Sequence, residues 1–257
     1  MFDSGVGGLT VAREIFAHMP HEEIVYFGDT GRAPYGGKEP DVIRSYGRQI
    51  CEYLVGTHNV KALAIACTTI DALYSHEILR TYGHMPVVGV IRPGCAQALA
   101  AESVGLMATL AAVNSKAHER TFREMGADQP FHPQACPSLA RLVEEGKAGQ
   151  PETYHDVQTY VSNLLTKGVQ TIILGCTHYP LIMDEVRAAV GTRASIIDPA
   201  AAAARNMRQE LHTRGLTRPA APPNHKFILS KKSPVFDSLC MSIMGYVPDA
   251  LIHSLEP

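Results

Sequence analysis

One apolar phrase occurs twice in this chain. Residues 60–69 read V-K-A-L-A-I-A-C-T-T and residues 169–178 read V-Q-T-I-I-L-G-C-T-H. Each ends in Cys-Thr-X, and Cys67 and Cys176 lie 109 residues apart (176 − 67). At the same offset Val87 and Val88 fall on Ile196 and Ile197, so a second apolar run follows each cysteine at a matching distance. The pattern predicts two related halves, each presenting one thiol at the end of a strand. A site with a thiol on either side suits chemistry that handles both faces of one small molecule.

The 257 residues accommodate one or two domains, and 46% apolar content supplies a full core. A net charge of −2 argues against a nucleic-acid or anionic-membrane partner recruited by bulk charge. Every apolar run is shorter than the roughly 20 residues of a membrane span, and no basic, apolar leader opens the chain. None of the six cysteines forms a C-x-x-C pair. A large core with widely spaced cysteines predicts a reduced, cytoplasmic protein.

Short β-branched runs alternate with longer amphipathic ones. Strands are expected at 24–28, 62–66, 86–90, 104–108, 171–175, 194–197 and 226–229. Several are apolar throughout, as parallel strands covered on both faces are. Helical stripes lie between them. One carries Val42, Ile43, Tyr46, Ile50 and Leu54 behind Pro40; another follows Pro180; a third is expected to start near Asn114-Ser115. Alternating β and α predicts a parallel α/β sheet, and the repeat predicts two of them. The stretch 218–223, R-P-A-A-P-P, reads as a surface connection.

In open α/β sheets ligands bind beyond the carboxyl ends of the strands, where Cys67 and Cys176 are expected. Thr68 or Thr69 would cap the helix after Cys67, and a helix N-terminus would lower that thiol's pKa. Cys51, Cys95, Cys136 and Cys240 read as small buried hydrophobes. The opening M-F-D-S-G-V-G-G is a glycine-rich turn able to hold a carboxylate or phosphate on its amides, and it matches no nucleotide fingerprint. Asp3 within it is either a catalytic carboxylate or a turn residue, and Asp29 in the loop G-D-T-G-R-A-P-Y-G-G is open to the same two readings. His178, two residues after Cys176, would tune that thiol or, with further ligands, bind zinc. Glu144 reads as an ordinary exposed residue at a helix end.

Five phrases carry a resemblance. They are F-D-S-G-V-G-G-L-T at 2–10, Y-F-G-D-T at 26–30 leading to P-Y-G at 34–36, Ala66-Cys67, P-V-V-G-V-I at 86–91, and L-G-C-T-H-Y-P-L at 174–181. Their order and spacing, over nearly the whole chain, resemble the aspartate/glutamate racemases, a family of cofactor-independent amino-acid racemases. The resemblance implies two pseudo-symmetric flavodoxin-like domains facing each other across an active-site cleft. It places residues 1–95 plus 206–257 in the first and 96–205 in the second. It implies interconversion of L- and D-glutamate without pyridoxal phosphate or metal, D-glutamate supply for peptidoglycan, and a homodimer. Cys67 would exchange the proton on the D-glutamate side and Cys176 on the L-glutamate side. Asp3, His178 and Glu144 would assist the thiols. Ser4, Pro34, Tyr35, Gly36, Thr68, Thr69, Thr109 and Thr177, with Asp3 and His178, would hold the substrate.

Four positions depart from the family pattern. Thr68 stands where asparagine is usual, Ala112 where a second threonine is usual, and Asp71 where a small neutral residue is usual. The strand before Asp3 is short. Asp71 is expected to bring a negative charge near Cys67, raising its pKa. Other readings consistent with these departures are a racemase for another acidic amino acid such as aspartate, and a weakly active or inactive racemase-like binding protein, for example a gyrase inhibitor. A thiol hydrolase or a metal protein is a third reading.

Overall fold

The computed structural model describes residues 1–255. In chain order the elements of the first part are β1 (Phe2–Asp3), α1 (Leu9–His18), β2 (Val25–Gly28), α2 (Pro40–His58), β3 (Leu63–Ala64), α3 (Thr68–Tyr82), β4 (Val87–Val88) and α4 (Ile91–Gln97). The second part adds β5 (Val104–Ala108), α5 (Leu110–Ser115), α6 (Ala117–Glu124), β6 (Phe131–Ala135), α7 (Leu139–Glu144) and α8 (Pro151–Leu165). It continues with β7 (Thr171–Gly175), a 3-10 turn (Tyr179–Ile182), α9 (Met183–Val190) and β8 (Ser195–Ile197). The chain closes with α10 (Ala200–Thr213), β9 (Lys226–Leu229), α11 (Phe236–Met244) and β10 (Ala250–Ile252).

All strand pairs are parallel. One set runs β1-β2-β9-β10 and a bridge from Phe2 to Ile65 joins it to the β3-β4 pair, so the first sheet reads β4-β3-β1-β2-β9-β10. The second reads β8-β7-β5-β6. The two share the flavodoxin-like order, with the switch point between β1 and β3 in one and between β5 and β7 in the other. The sequence repeat is kept in the register. Leu63 pairs with Val87 and Ile172 with Ile196, so both partners are displaced by 109 residues (172 − 63 and 196 − 87).

Each sheet is covered on both faces, which is why its strands are apolar throughout. Tyr26, Phe227 and Leu229 face α1, α10 and α11, while Phe27 and Ile228 face α2 and α3. In the second sheet Ile172 and Leu174 face α7, α8 and α9; Ile173 and Leu106 face α4 and α6. Each crossover helix packs on the sheet it leads to. Ile91 and Cys95 of α4 lie in the second core, and Ala200, Ala203 and Met207 of α10 in the first.

Several expectations change. Cys67 itself is the N-cap residue of α3, so Thr68 and Thr69 are its first helical residues and not its caps. After Cys176 the chain makes a 3-10 turn before α9 begins. The helix expected from Asn114-Ser115 is two helices, because Lys116 adopts a left-handed φ of 56° and the Ser115 hydroxyl accepts from Ala117 N at 3.1 Å to restart the turn. The short β1 is held on both sides: Asp29 N donates to Asp3 O and Ala66 N to Phe2 O, each at 3.0 Å. These bonds tie the residue pair Phe2–Asp3 into the middle of the first sheet.

Candidate active site

The two switch points face one another, and the side chains at their strand ends enclose one cavity. It is lined by Ser4, Pro34, Tyr35, Gly36, Cys67, Thr68, Thr69, Thr109, Ala140, Cys176, Thr177 and His178. Eleven of these were expected from the sequence as thiols or substrate contacts; Ala140 was not foreseen, and it lies outside every recognisable motif. The cavity is narrow, about 10 Å³, room for one water. Asp3 and Glu144 stand behind the lining.

Cys67 is 3% exposed. Burial, then the charge of Asp3, push its thiol up to about 12, against the pull of the Ser4 hydroxyl and the amides of Ile70 and Ser4. The helix N-terminus therefore does not produce the low pKa expected from position alone; desolvation wins. Asp71 takes no part in this. Its Oδ2 accepts from Val90 N and Ile91 N, both at 2.8 Å, and so caps α4.

The second thiol has a different neighbourhood. His178 Nδ1 lies 3.6 Å from Cys176 Sγ, and Nε2 lies 2.7 Å from Glu144 Oε1. Burial alone would push this imidazole down; the hydrogen bonds and charges of Cys176 and Glu144 overcome it and hold the pKa well above the usual value. Both ring nitrogens of His178 thus have partners, the sulfur of Cys176 on one side and the Glu144 carboxylate on the other. Glu144 is not the exposed helix-end residue its sequence position implied: its side chain is 13% exposed, and its Oε1 also accepts from Val6 N at 2.9 Å. Among the described residues no three His, Cys, Asp or Glu side chains converge as a metal-ligand set.

The glycine-rich opening turn makes that approach possible. A Cβ on Gly5 would lie 1.9 Å from Glu144 Oε1, and one on Gly7 would lie 2.5 Å from His178 Nδ1. Asp3 crosses the cleft as well: Oδ2 accepts from Gly5 N at 3.0 Å and Oδ1 from the Thr177 hydroxyl at 3.1 Å. Burial raises its pKa, against the charge of His178 and the Gly5 amide. Thr10, absent from the expected set, donates from its hydroxyl toward Gly7 O at 2.8 Å and Thr177 O at 3.1 Å.

The Pro34–Gly36 wall is braced from behind. The Tyr35 hydroxyl donates to Asp29 Oδ2, which also accepts from Arg32 Nε at 2.6 Å. Asp29 is thus a brace for a lining residue, beyond the turn role. Thr69 and Thr109 hydroxyls meet at 3.0 Å across the two halves, and Ala112 N donates to Thr109 Oγ1 at 3.3 Å. The missing threonine at 112 leaves Thr109 as the hydroxyl from that loop.

Known proteins resemble this chain in sequence and in fold. The sequence model of the family described as Asp/Glu/Hydantoin racemase matches residues 11–207. The glutamate racemase of Geobacter metallireducens is 36% identical over 234 residues, spanning 90% of this chain and 86% of that protein. The crystal structure of a glutamate racemase isoform from Bacillus anthracis superposes with a TM-score of 0.92 at 31% identity, covering 99% of this chain and 96% of that one. That of the glutamate racemase from Francisella tularensis, in complex with D-glutamate, gives 0.91 at 29%, covering 99% and 95%. With two parallel α/β units meeting at paired thiols, and with this breadth of likeness, the chain belongs to the Asp/Glu/Hydantoin racemase family and is an amino-acid racemase.

Proposed function

We propose that this chain interconverts L- and D-glutamate by a two-thiol acid–base mechanism in which Cys67 and Cys176 serve opposite faces of Cα. The observation that carries the reading is that one thiol from each half, at equivalent strand ends, lines a single hydroxyl-rich cavity. Relatives described as glutamate racemases support glutamate as the substrate.

Racemisation removes the Cα proton from one face and returns one to the other. One thiolate takes the proton while the opposite thiol donates. At rest Cys67 carries its proton, the state required to deliver to Cα in the L-to-D direction. His178, held between Cys176 and Glu144, relays a proton at the other thiol. Asp3 plays the corresponding part near Cys67, where its charge favours the protonated thiol. Cα is a very weak acid, so the α-carboxylate must be met by donors as charge develops. Amides near Ser4 and at the start of α3, with the hydroxyls of Ser4, Thr68, Thr69, Thr109 and Thr177, would serve as those donors. Pro34, Tyr35 and Gly36 form the wall that excludes water.

The same reading includes a division into residues 1–95 plus 206–257 and residues 96–205, a homodimer, a cytoplasmic location, and supply of D-glutamate to peptidoglycan. The test is incubation with L-glutamate, and separately D-glutamate, in deuterated water without added cofactor. The expected result is the opposite enantiomer carrying deuterium at Cα. Folded protein that gives neither inversion nor exchange would overturn the proposal.

A further inference from the structure

Asp71 is a buried carboxylate that the two-thiol mechanism does not use. It lies on α3, the helix that Cys67 opens, and spends one oxygen on two backbone donors, Val90 N and Ile91 N, each at 2.8 Å. Those donors are the first of α4, which packs into the second core. The carboxylate therefore joins the helix of the first thiol to the crossover between halves.

The repeat shows what is unusual about this join. Gly89 is the counterpart of Asp198 at the 109-residue offset (198 − 89), as Ile91 is of Ala200. In the second half Asp198 caps the crossover helix from its own loop, with Oδ1 accepting from Ala200 N at 3.0 Å. In the first half the loop residue is a glycine, and a Cβ built on it would fall 2.2 Å from Asp71 Oδ2. The Asp71 carboxylate thus occupies the space of the missing loop side chain and supplies its cap from another helix. A cap from the loop would serve α4 equally and would leave α3 without this tie.

We propose that Asp71 is a positioning residue for Cys67: its carboxylate clamps the N-terminal turn of α3 to the α4 crossover and so fixes the first thiol in the cleft. The kinetic side of this inference rests on the two-thiol reading above; the positional side does not. Asp71→Ala removes the clamp. Asp71→Asn keeps an oxygen acceptor in place. The double variant Asp71→Ala with Gly89→Asp returns a cap to α4 from the loop, as in the second half, without tying α3.

The measurement is the alkylation rate of Cys67 by iodoacetamide, mapped by peptide mass spectrometry with buried Cys240 as internal reference. Asp71→Ala is expected to speed Cys67 relative to Cys240 by about tenfold, the scale of losing one buried hydrogen-bond acceptor. Asp71→Asn should return it to the wild-type rate. The double variant should regain thermal stability while Cys67 stays fast. In parallel, the isotope effect on racemisation of Cα-deuterated D-glutamate should rise in Asp71→Ala while that of the L-enantiomer does not. Unchanged Cys67 alkylation in Asp71→Ala, or full rescue of it by the loop cap, would overturn the clamp. A wild-type protein without racemisation would sink the two-thiol reading and leave the alkylation result to decide the clamp alone.

Discussion

Asp71 lies four residues after Cys67 in the chain, yet its carboxylate turns away to α4, because two unpaired amides there outbid solvent-poor space beside the thiol. Burial still dominates its titration, raising the pKa from 3.8 to about 6 against the Ile91 and Val90 amides. A folded pKa above the unfolded one means that stability from this group is full below about pH 4 and is lost as pH rises through 6. Asp71→Asn is therefore expected to be more stable than wild type at pH 8, by up to about 3 kcal/mol, with the gap closing below pH 4. Denaturant unfolding at the two pH values checks this; a gap independent of pH contradicts it. The glycines of the opening turn make a second residue-scale case. Gly7→Ala would push into His178, and a displacement of that size is expected to lower kcat by about 100-fold with the circular dichroism spectrum unchanged. Neither contact was legible beforehand: Asp71 reaches the amides of Val90 and Ile91 beyond its own helix, Gly7 meets His178 from the other half, and no local pattern announces either.

At the scale of elements, three strands were readable from the sequence to the residue, and those expected at 24–28 and 194–197 begin one residue later. β5, β7 and β9 occupy 104–108, 171–175 and 226–229 as expected. The apolar runs at 62–66 and 86–90 were right in place but yield strands of only two residues each, β3 and β4, with Ile65 N donating to Val88 O and Ala66 N to Phe2 O beyond them. β6 was missed because F-H-P-Q-A is neither apolar nor alternating, and Pro133 in it reads as a breaker. It is tolerated because β6 lies at a sheet edge. Helix starts depend on groups distant in sequence, as the cap of α4 shows. Where the cap is local it is testable locally: Asp198→Ala removes the acceptor for Ala200 N and is expected to cost about 1 kcal/mol in equilibrium unfolding. An unchanged midpoint would show that the α10 start is held by other contacts.

For the molecule as a whole, the two halves are closed on each other. Asp3 to Thr177, Val6 to Glu144 and Thr69 to Thr109 all cross the cleft, and the space left admits about one water. That space is too small for an amino acid, so binding requires the cavity to widen. Saturating glutamate is expected to slow alkylation of Cys67 and Cys176 together while leaving Cys51 unaffected. Protection of one thiol alone would contradict a shared site. The repeat made the two-sheet architecture and both thiols visible in the chain; the pairing of His178 with Glu144 needed the fold to bring α7 against the start of the chain. The central claim is that each thiol owns one face of Cα, and the most direct measurement is Cα deuterium exchange in the two single variants. Cys176→Ala should lose racemisation by about 1000-fold or more yet still exchange D-glutamate, and Cys67→Ala should exchange L-glutamate alone. Wild-type racemisation in either variant, or exchange of both enantiomers by one thiol, would contradict it.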